Sequence, residues 1–440
     1  MKDSGIAWID QIPENWKTVK IKYCLSRNEK KNHPNATVLS VYRDYGVVPK
    51  NSRDDNHNVT SSDTSNYKYV VKGNLVINKM KAWQGSLAVS RYTGIVSPAY
   101  YVYQFTNSKL NKAYFHYLIR NCYKDEFRRL STGIRDGQWD LQAYDFENTL
   151  ILLPSQLEQQ QIADFLDSKT AEIDGLIDKI NTEIEKLQQY QSNVIFQAIT
   201  KGLNQSVLMK DSGVEWIGEI PETWKMIRLK YLVDSVVTGD WGEDKIDDYK
   251  KSFMKNMICL RVTDFAFNRG TFKSTPPKLL TYRLYTLTTI KKLILHEGDI
   301  LIEKSGGGEK TPVGRAVIFD KKYKALYANF LSRIRLKKGV SSKFVEYFLR
   351  SLYHRGVTKL YFNQTTGIQN LKLDELLSTE KMALPKLNEQ HQITDYLEQK
   401  VAQIQRLIKL KKQQINQLTE YKSSLIFEYV TGKKQVNEAN

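Results

Sequence analysis

Two stretches of the chain place an apolar residue at every seventh position. In the first, Leu166, Ile173, Ile180, Leu187 and Val194 follow at this interval, and Leu176, Ile177, Ile184 and Tyr190 widen the stripe. In the second, the series runs Leu397, Ile404, Lys411, Leu418 and Leu425, with Leu407, Ile408, Ile415 and Tyr421 beside it. An apolar period of about 3.5 residues sustained over about six heptads predicts long helices that pair as a coiled coil. No Pro or Gly interrupts residues 388–431, and only Gly175 interrupts the first stretch. At a helical rise of 1.5 Å per residue, about 42 residues make a rod of roughly 60 Å. Lys411 stands in an otherwise apolar seam, a position from which a polar residue selects one register. Elsewhere the pattern changes to short apolar runs bounded by turn residues. VKGNLVINKM (71–80), TGIVSPAYYVYQF (93–105), EGDILIEK (297–304) and KALYANFLSRIRL (324–336) read as strands, and TLILLP at Thr149 as a closing strand before a proline. Residues 112–130 and 343–360 carry helical spacing. The class is α+β with a twisted, mostly antiparallel sheet.

The chain also repeats itself. MKDSGIAWIDQIPENWKTVKIKY (1–23) recurs as MKDSGVEWIGEIPETWKMIRLKY (209–231), identical at 14 of 23 positions, with Trp8/Trp216, Pro13/Pro221 and Trp16/Trp224 among them. Residues 154–200 and 385–431 match at 19 of 47 positions. Fainter echoes lie between, GNLVINK at Gly73 answering GDILIEK at Gly298, and TGI at Thr132 answering TGI at Thr366. Two segments repeated in the same order define a duplicated architecture. Its parts are a first globular block with its lead-in segment (1–153), a first helix and linker (154–208), a second block with its lead-in (209–384), and a second helix with a tail (385–440). Two helices each reached through a globular block can lie antiparallel within one chain; a parallel homodimer is the alternative. The matched tryptophans read as packing anchors of the lead-in segments.

Charge divides along the same boundaries. Over 440 residues, 66 Lys+Arg against 48 Asp+Glu leave a net +18. Residues 1–153 carry +8, 154–208 carry −4, 209–384 carry +11 and 385–440 carry +3. Such a surplus points to a polyanionic partner, most simply nucleic acid. A basic-zipper protein loads its charge onto the end of the coiled coil; here the blocks are basic and the first rod is acidic. The blocks are therefore expected to touch the polyanion and the rods to hold them apart. No run approaches the ~18 apolar residues of a membrane helix, and the N-terminus lacks a signal-peptide pattern. Three separated cysteines, Cys24, Cys122 and Cys259, form neither a disulfide framework nor a metal motif. A reduced, cytoplasmic protein without a membrane partner is expected.

Catalytic patterns are missing where they were sought. SPAY at Ser97 lacks the polar residue and second proline of an amino-methyltransferase motif, and GGGEKT at Gly306 places Glu309 where a phosphate loop needs open space. Asp299 and Glu303 offer a carboxylate pair of the kind a metal-dependent nuclease uses, but the matching positions hold Asn74 and Asn78. A sheet strand after a glycine turn is the simpler reading. No histidine pair has metal-ligand spacing. The chain is expected to bind and position, with no catalytic residue, no metal and no cofactor of its own.

The lead-in form KDSG-x-x-WI-x-x-IP-x-x-WK, a basic block ending in a hydrophobic strand plus Pro, and then EQ-x-x-I-x-x-(F/Y)L together resemble the specificity subunits of type I restriction–modification systems. The likeness covers essentially the whole chain. It includes Glu158, Gln159, Gln161, Ile162, Asp164 and Leu166, and again Glu389, Gln390, Gln392, Ile393, Asp395 and Leu397. The resemblance implies two similar target recognition domains separated by a long antiparallel two-helix coiled coil, in an internal pseudo-twofold repeat. Each domain would read one half of a split, asymmetric sequence in double-stranded DNA, across a fixed unread gap. Two methyltransferase subunits and the restriction subunits would join it, and S-adenosylmethionine, ATP and Mg would be bound by those partners.

Because the blocks differ, the half-sites should differ, and reading should come from Arg, Lys, Asn and Gln at base edges. Candidate DNA-binding residues in the first block are Arg43, Arg53, Lys79, Lys81, Trp83, Gln84, Arg135, Gln138 and Trp139. In the second they are Lys304, Lys310, Arg315, Asn363, Gln364, Gln369 and Asn370. The alternative for each is an ordinary surface residue or a phosphate contact, and for Trp83 and Trp139 local packing. An RNA-binding or coiled-coil scaffold protein of the same shape is the rival function, and a nuclease centred on Asp299 and Glu303 a further one.

Overall fold

The computed structural model describes residues 1–43, 45–52, 60–61, 63–133, 139–204, 206–244, 254–309, 311–365 and 367–436. The chain forms two compact units, Met1–Ile180 with Lys412–Asn440, and Asn181–Lys411.

In the first unit the lead-in makes a short hairpin, Lys2–Asp3 with Gln11–Ile12. The strand Lys17–Lys20 then pairs antiparallel with the closing strand Leu150–Leu153. Between them lies a four-stranded antiparallel sheet in the order Leu25–Arg27, Tyr100–Phe105, Leu75–Asn78, Leu87–Val89. Leu75–Asn78 is buried at every position, which explains why Leu75, Val76 and Ile77 run apolar without alternation before the buried polar Asn78. Gly73 turns the chain into this strand at φ +91°, a left-handed conformation that glycine adopts at low cost. The helix Lys112–Cys122 starts at Asn111, whose Oδ1 accepts from the N–H groups of Ala113 and Tyr114 at 2.8 and 3.1 Å.

The second unit repeats this plan. Met209–Asp211 pairs with Glu219–Pro221, and Lys225–Arg228 pairs with the closing strand Lys381–Leu384. Its four-stranded sheet runs Val233–Thr238, Leu331–Leu336, Ile300–Glu303, Ala316–Ile318. Gly298 leads into the interior strand at φ +89°, as Gly73 does in the first unit. The helix Ser342–His354 is capped by Ser341. A further three-stranded sheet, Tyr282–Thr286, Met254–Leu260 and Ala325–Tyr327, answers a smaller arrangement in the first unit, where Leu39–Tyr42 pairs with Gly46–Pro49 and Val38 bridges Ile95 in parallel. The pairing of Met254–Leu260 with Ala325–Tyr327 is parallel, an exception to the antiparallel rule.

Both long helices form, Gln156–Lys201 and Leu387–Val430. Within the first unit Phe165 packs on Tyr429 with ring centroids 4.5 Å apart, and Lys422 Nζ donates to both carboxylate oxygens of Asp174 at 2.6 and 2.7 Å. Within the second, Gln405 Nε2 donates to Gln191 Oε1 at 2.6 Å and Lys411 pairs with Glu183. In each unit the numbers fall on one helix as they rise on the other, so the helices pack antiparallel. Leu166, Ile173, Ile184, Leu397, Ile404, Ile408 and Leu425 are buried, while Ile180, Leu187, Val194, Lys411 and Leu418 are half-buried. Leu176, Tyr190, Leu407 and Tyr421 are exposed, contrary to the widened stripe read from the sequence. A two-helix seam covers one narrow stripe per helix and leaves such flanking positions in solvent.

The motif shared by the two helix starts has a structural cause. Trp16 Nε1 donates to Glu158 Oε1, and Trp224 Nε1 to Glu389 Oε1, both at 3.1 Å. Gln159 is fully buried; its Nε2 donates to the carbonyls of Pro154 and Lys109, and its Oε1 accepts from Asn111 N–H at 2.7 Å. Gln390 does the same with Pro385 O and Ser341 N–H. A buried amide satisfied at both ends clamps the helix start to the strand exit and to the cap of the block's helix. The indoles of Trp16 and Trp224 are buried as anchors, and Trp8 and Trp216 pack edge-on and tilted against Tyr123 and Phe348.

Candidate nucleic-acid interface

In each unit the interior strand of the four-stranded sheet ends in a polar segment that meets a short hairpin. In the first unit the strand Leu75–Asn78 runs into a 3₁₀ turn, Lys79–Gln84. The hairpin is Ser131–Thr132 with Asp140–Leu141. Lys79 Nζ donates to Asp140 Oδ2 at 2.9 Å and ties the two together; this hydrogen bond raises the Lys79 pKa against the opposing effect of burial. Trp83 and Trp139 face each other across the same junction, centroids 5.1 Å apart and planes tilted by 52°. The Arg128 guanidinium lies 5.9 Å from the Trp139 ring, and Trp83 Nε1 donates to Met80 O. Both indoles are half-buried and lie outside the unit's buried apolar cluster. Lys81 is exposed and Gln84 half-buried. Arg43, also exposed, comes close to the end of the turn, its Cγ 3.9 Å from where a Cβ on Gly85 would stand, and its carbonyl accepts from Arg120 Nη2 at 2.6 Å. Arg53, Arg135 and Gln138 lie outside the described residues.

In the second unit the strand Ile300–Glu303 passes through Lys304 into Ser305–Gly306, which pairs antiparallel with Gln369–Asn370 of the hairpin Phe362–Thr365 and Ile368–Leu371. Asn363, Gln364 and Asn370 are exposed on this hairpin, and Asn370 Oδ1 accepts from Ser305 Oγ at 2.7 Å. Gln369 is different. It is 3% exposed, and its Oε1 accepts from Val313 N–H at 3.1 Å. Lys304 Nζ reaches Thr238 Oγ1 at 3.4 Å. Lys310 lies outside the described residues. The structure thus gathers Arg43, Lys79, Lys81, Trp83, Gln84 and Trp139 around one junction, and Lys304, Asn363, Gln364, Gln369 and Asn370 around its counterpart.

Arg315 lies beside the second junction but is committed to Glu303 at the end of the interior strand, donating to its Oε2 and Oε1 at 2.8 and 3.0 Å. Asp299 takes an equivalent fork from Arg335, both bonds 2.7 Å. Each buried carboxylate is thus matched by its own arginine, the geometry of sheet ion pairs. Among the described residues no group of three or more His, Cys, Asp or Glu is placed to hold a metal. The three cysteines are buried, and burial pushes the Cys122 thiol up to about 12 and that of Cys259 to about 11, far from the thiolate a nucleophile needs. Among the described residues no helix is long and apolar enough to cross a membrane.

Sequence reading missed Arg128, and exposed Phe330, whose carbonyl accepts from the N–H groups of Lys304 and Ser305. The cue for Arg128 was faint, an arginine on a helix next to a hairpin that brings Trp139 over it.

The family described as type I restriction modification DNA specificity domain matches residues 13–186 and 221–420. The MjaVIII type I restriction enzyme specificity subunit of Methanocaldococcus jannaschii is 26% identical over 386 residues, 86% of this chain and 84% of its own length. A solved structure from work on complex assembly and conformational transition of the type I R-M system matches 96% of this chain and 100% of that one, with a TM-score of 0.68 at 14% identity, a likeness of fold. With two similar α+β units, paired long helices and a family match over most of its length, the chain belongs to the type I restriction–modification DNA specificity family.

Proposed function

We propose that each unit reads one half of a bipartite, asymmetric DNA target, and that the paired long helices set the unread gap and dock two methyltransferase subunits. Restriction subunits complete the complex in the cytoplasm. The partners bind S-adenosylmethionine, ATP and Mg, and this chain carries no catalytic group. The observation that supports the reading best is the junction of strand end and hairpin, built twice on the same plan from unlike residues. In one unit it presents Lys81, Trp83, Gln84 and Trp139; in the other Lys304, Asn363, Gln364 and Asn370. Equal scaffolds with different polar surfaces are what two different half-sites require. The charge division agrees, since the blocks carry +8 and +11 while the first helix and linker carry −4.

The ruler role is testable. Four residues inserted at matching levels of both long helices add about 6 Å. Against a rise of about 3.4 Å per base pair, the unread gap should lengthen by roughly two base pairs while both half-sites stay the same. Adenine methylation mapped on duplexes of graded gap length reads the outcome, and an unchanged gap removes the ruler.

A further inference from the structure

Lys79 and Gln369 have the polar side chains of base readers, yet both are committed to the protein. Lys79 spans from the end of the interior strand to Asp140 on the hairpin, at 2.9 Å, with the two side chains 30% and 27% exposed. The ladder of that hairpin has two residue pairs among the described residues; Leu141 anchors its base in the core, and the Lys79–Asp140 bond and the Trp83–Trp139 contact hold its outer part against the turn. Gln369, on the hairpin of the second unit, holds the far end of the glycine segment through Val313 N–H, a buried bond of 3.1 Å. The fit there is close. A Cβ on Gly307 would lie 2.8 Å from Val313 N and 3.0 Å from Gln369 Oε1, whereas one on Gly308 would meet nothing within 4 Å. Both contacts occupy the same topological place, between the segment that follows the interior strand and the hairpin beside it. One is ionic and the other neutral.

We infer that Lys79–Asp140 and Gln369–Val313 are latches that hold the two reading surfaces in shape, so that Lys79 and Gln369 are positioning residues that set half-site specificity without touching a base. This assignment rests on the half-site reading proposed above. A latch differs from a phosphate or base contact in what its loss changes. Removing a lysine that neutralises a phosphate lowers the slope of log affinity against log salt by about 0.9. Removing a latch leaves that slope alone and relaxes the choice of bases.

The experiment uses the full chain assembled with its methyltransferase subunits. Adenine methylation is measured on duplex libraries randomised in one half-site at a time, together with DNA affinity across salt. Lys79→Met and Asp140→Leu should each relax discrimination in the first unit's half-site by about tenfold, the size of one good base contact, with an unchanged salt slope and the other half-site intact. Gln369→Met should do the same for the second half-site only. Lys79→Arg, which keeps the ion pair, and Gln369→Glu, which keeps an acceptor for Val313 N–H, should restore discrimination. That rescue separates the latch from general loss of folding, which thermal melting of each variant follows in parallel. A salt slope reduced in Lys79→Met, or normal specificity in Asp140→Leu, would overturn the latch in the first unit. Normal specificity in Gln369→Met would overturn it in the second. Unmutated protein that discriminates within neither half-site would sink the half-site reading itself.

Discussion

Exchanging residues 229–380 for the corresponding block of a homologous specificity subunit is expected to rewrite one half of the recognised sequence and to leave the other half and the gap as they were. The fold makes this exchange mechanically simple. Arg228 and Lys381 are register partners in the ladder of lead-in and closing strands, so chain entering and chain leaving the block sit one strand spacing apart, about 4.8 Å. The clamps below the junction, Trp224 to Glu389 and Gln390 to Pro385, lie outside the exchanged block. Two bonds to the second long helix have to be restored: that from the N–H of Ser341 to Gln390 Oε1, which any block with the same helix cap supplies through its backbone, and the exposed ion pair of Lys343 with Glu398. Methylated-adenine mapping of cells carrying the chimaera checks the outcome. Changes in both halves would count against independent readers.

The second large effect concerns the buried carboxylates. Asp299 is 3% exposed and takes two bonds of 2.7 Å from Arg335, with a third from His296 N–H at 2.8 Å. Replacing Arg335→Leu leaves a buried charge with one backbone donor. Breaking such a pair costs about 3–5 kcal/mol when both partners are fully buried. With Arg335 29% exposed, about 2–4 kcal/mol is the fair expectation. For a unit of this size that lowers the melting temperature by roughly 5–15 °C, read by differential scanning calorimetry. Asp299→Asn/Arg335→Leu, which removes both charges, should recover most of the loss. A nuclease centre would behave oppositely, with loss of cleavage in Asp299→Asn/Glu303→Gln as the main phenotype.

Much of this architecture is legible in the residues, and the part that is not has a physical reason. The seven-residue period located both long helices, because a coiled-coil seam writes its spacing directly into the chain. LVI at Leu75 and ILI at Ile300 marked the interior strands, since burial on both faces favours an apolar run without alternation. The Trp repeats pointed to anchors, though not to the indole-to-carboxylate bond that joins positions 142 residues apart. Side-chain commitments were invisible for the same reason. Nothing near Lys79 in sequence announces Asp140, 61 residues away, and nothing near Gln369 announces Val313, 56 residues away. Composition alone therefore made both look like free polar readers. The flanking apolar positions failed differently. Leu176, Tyr190, Leu407 and Tyr421 have the spacing of buried residues, yet a single partner helix covers too narrow a stripe to reach them.

The central claim is that two unlike units read two unlike half-sites at a set spacing. Its most direct test is single-molecule sequencing of methylated adenine in the source genome, with the gene present and deleted. One bipartite motif with a fixed gap, methylated only when the gene is present, is the predicted result. Methylation that is independent of the gene, or a dependent motif that is continuous or has only one specific half, would contradict it.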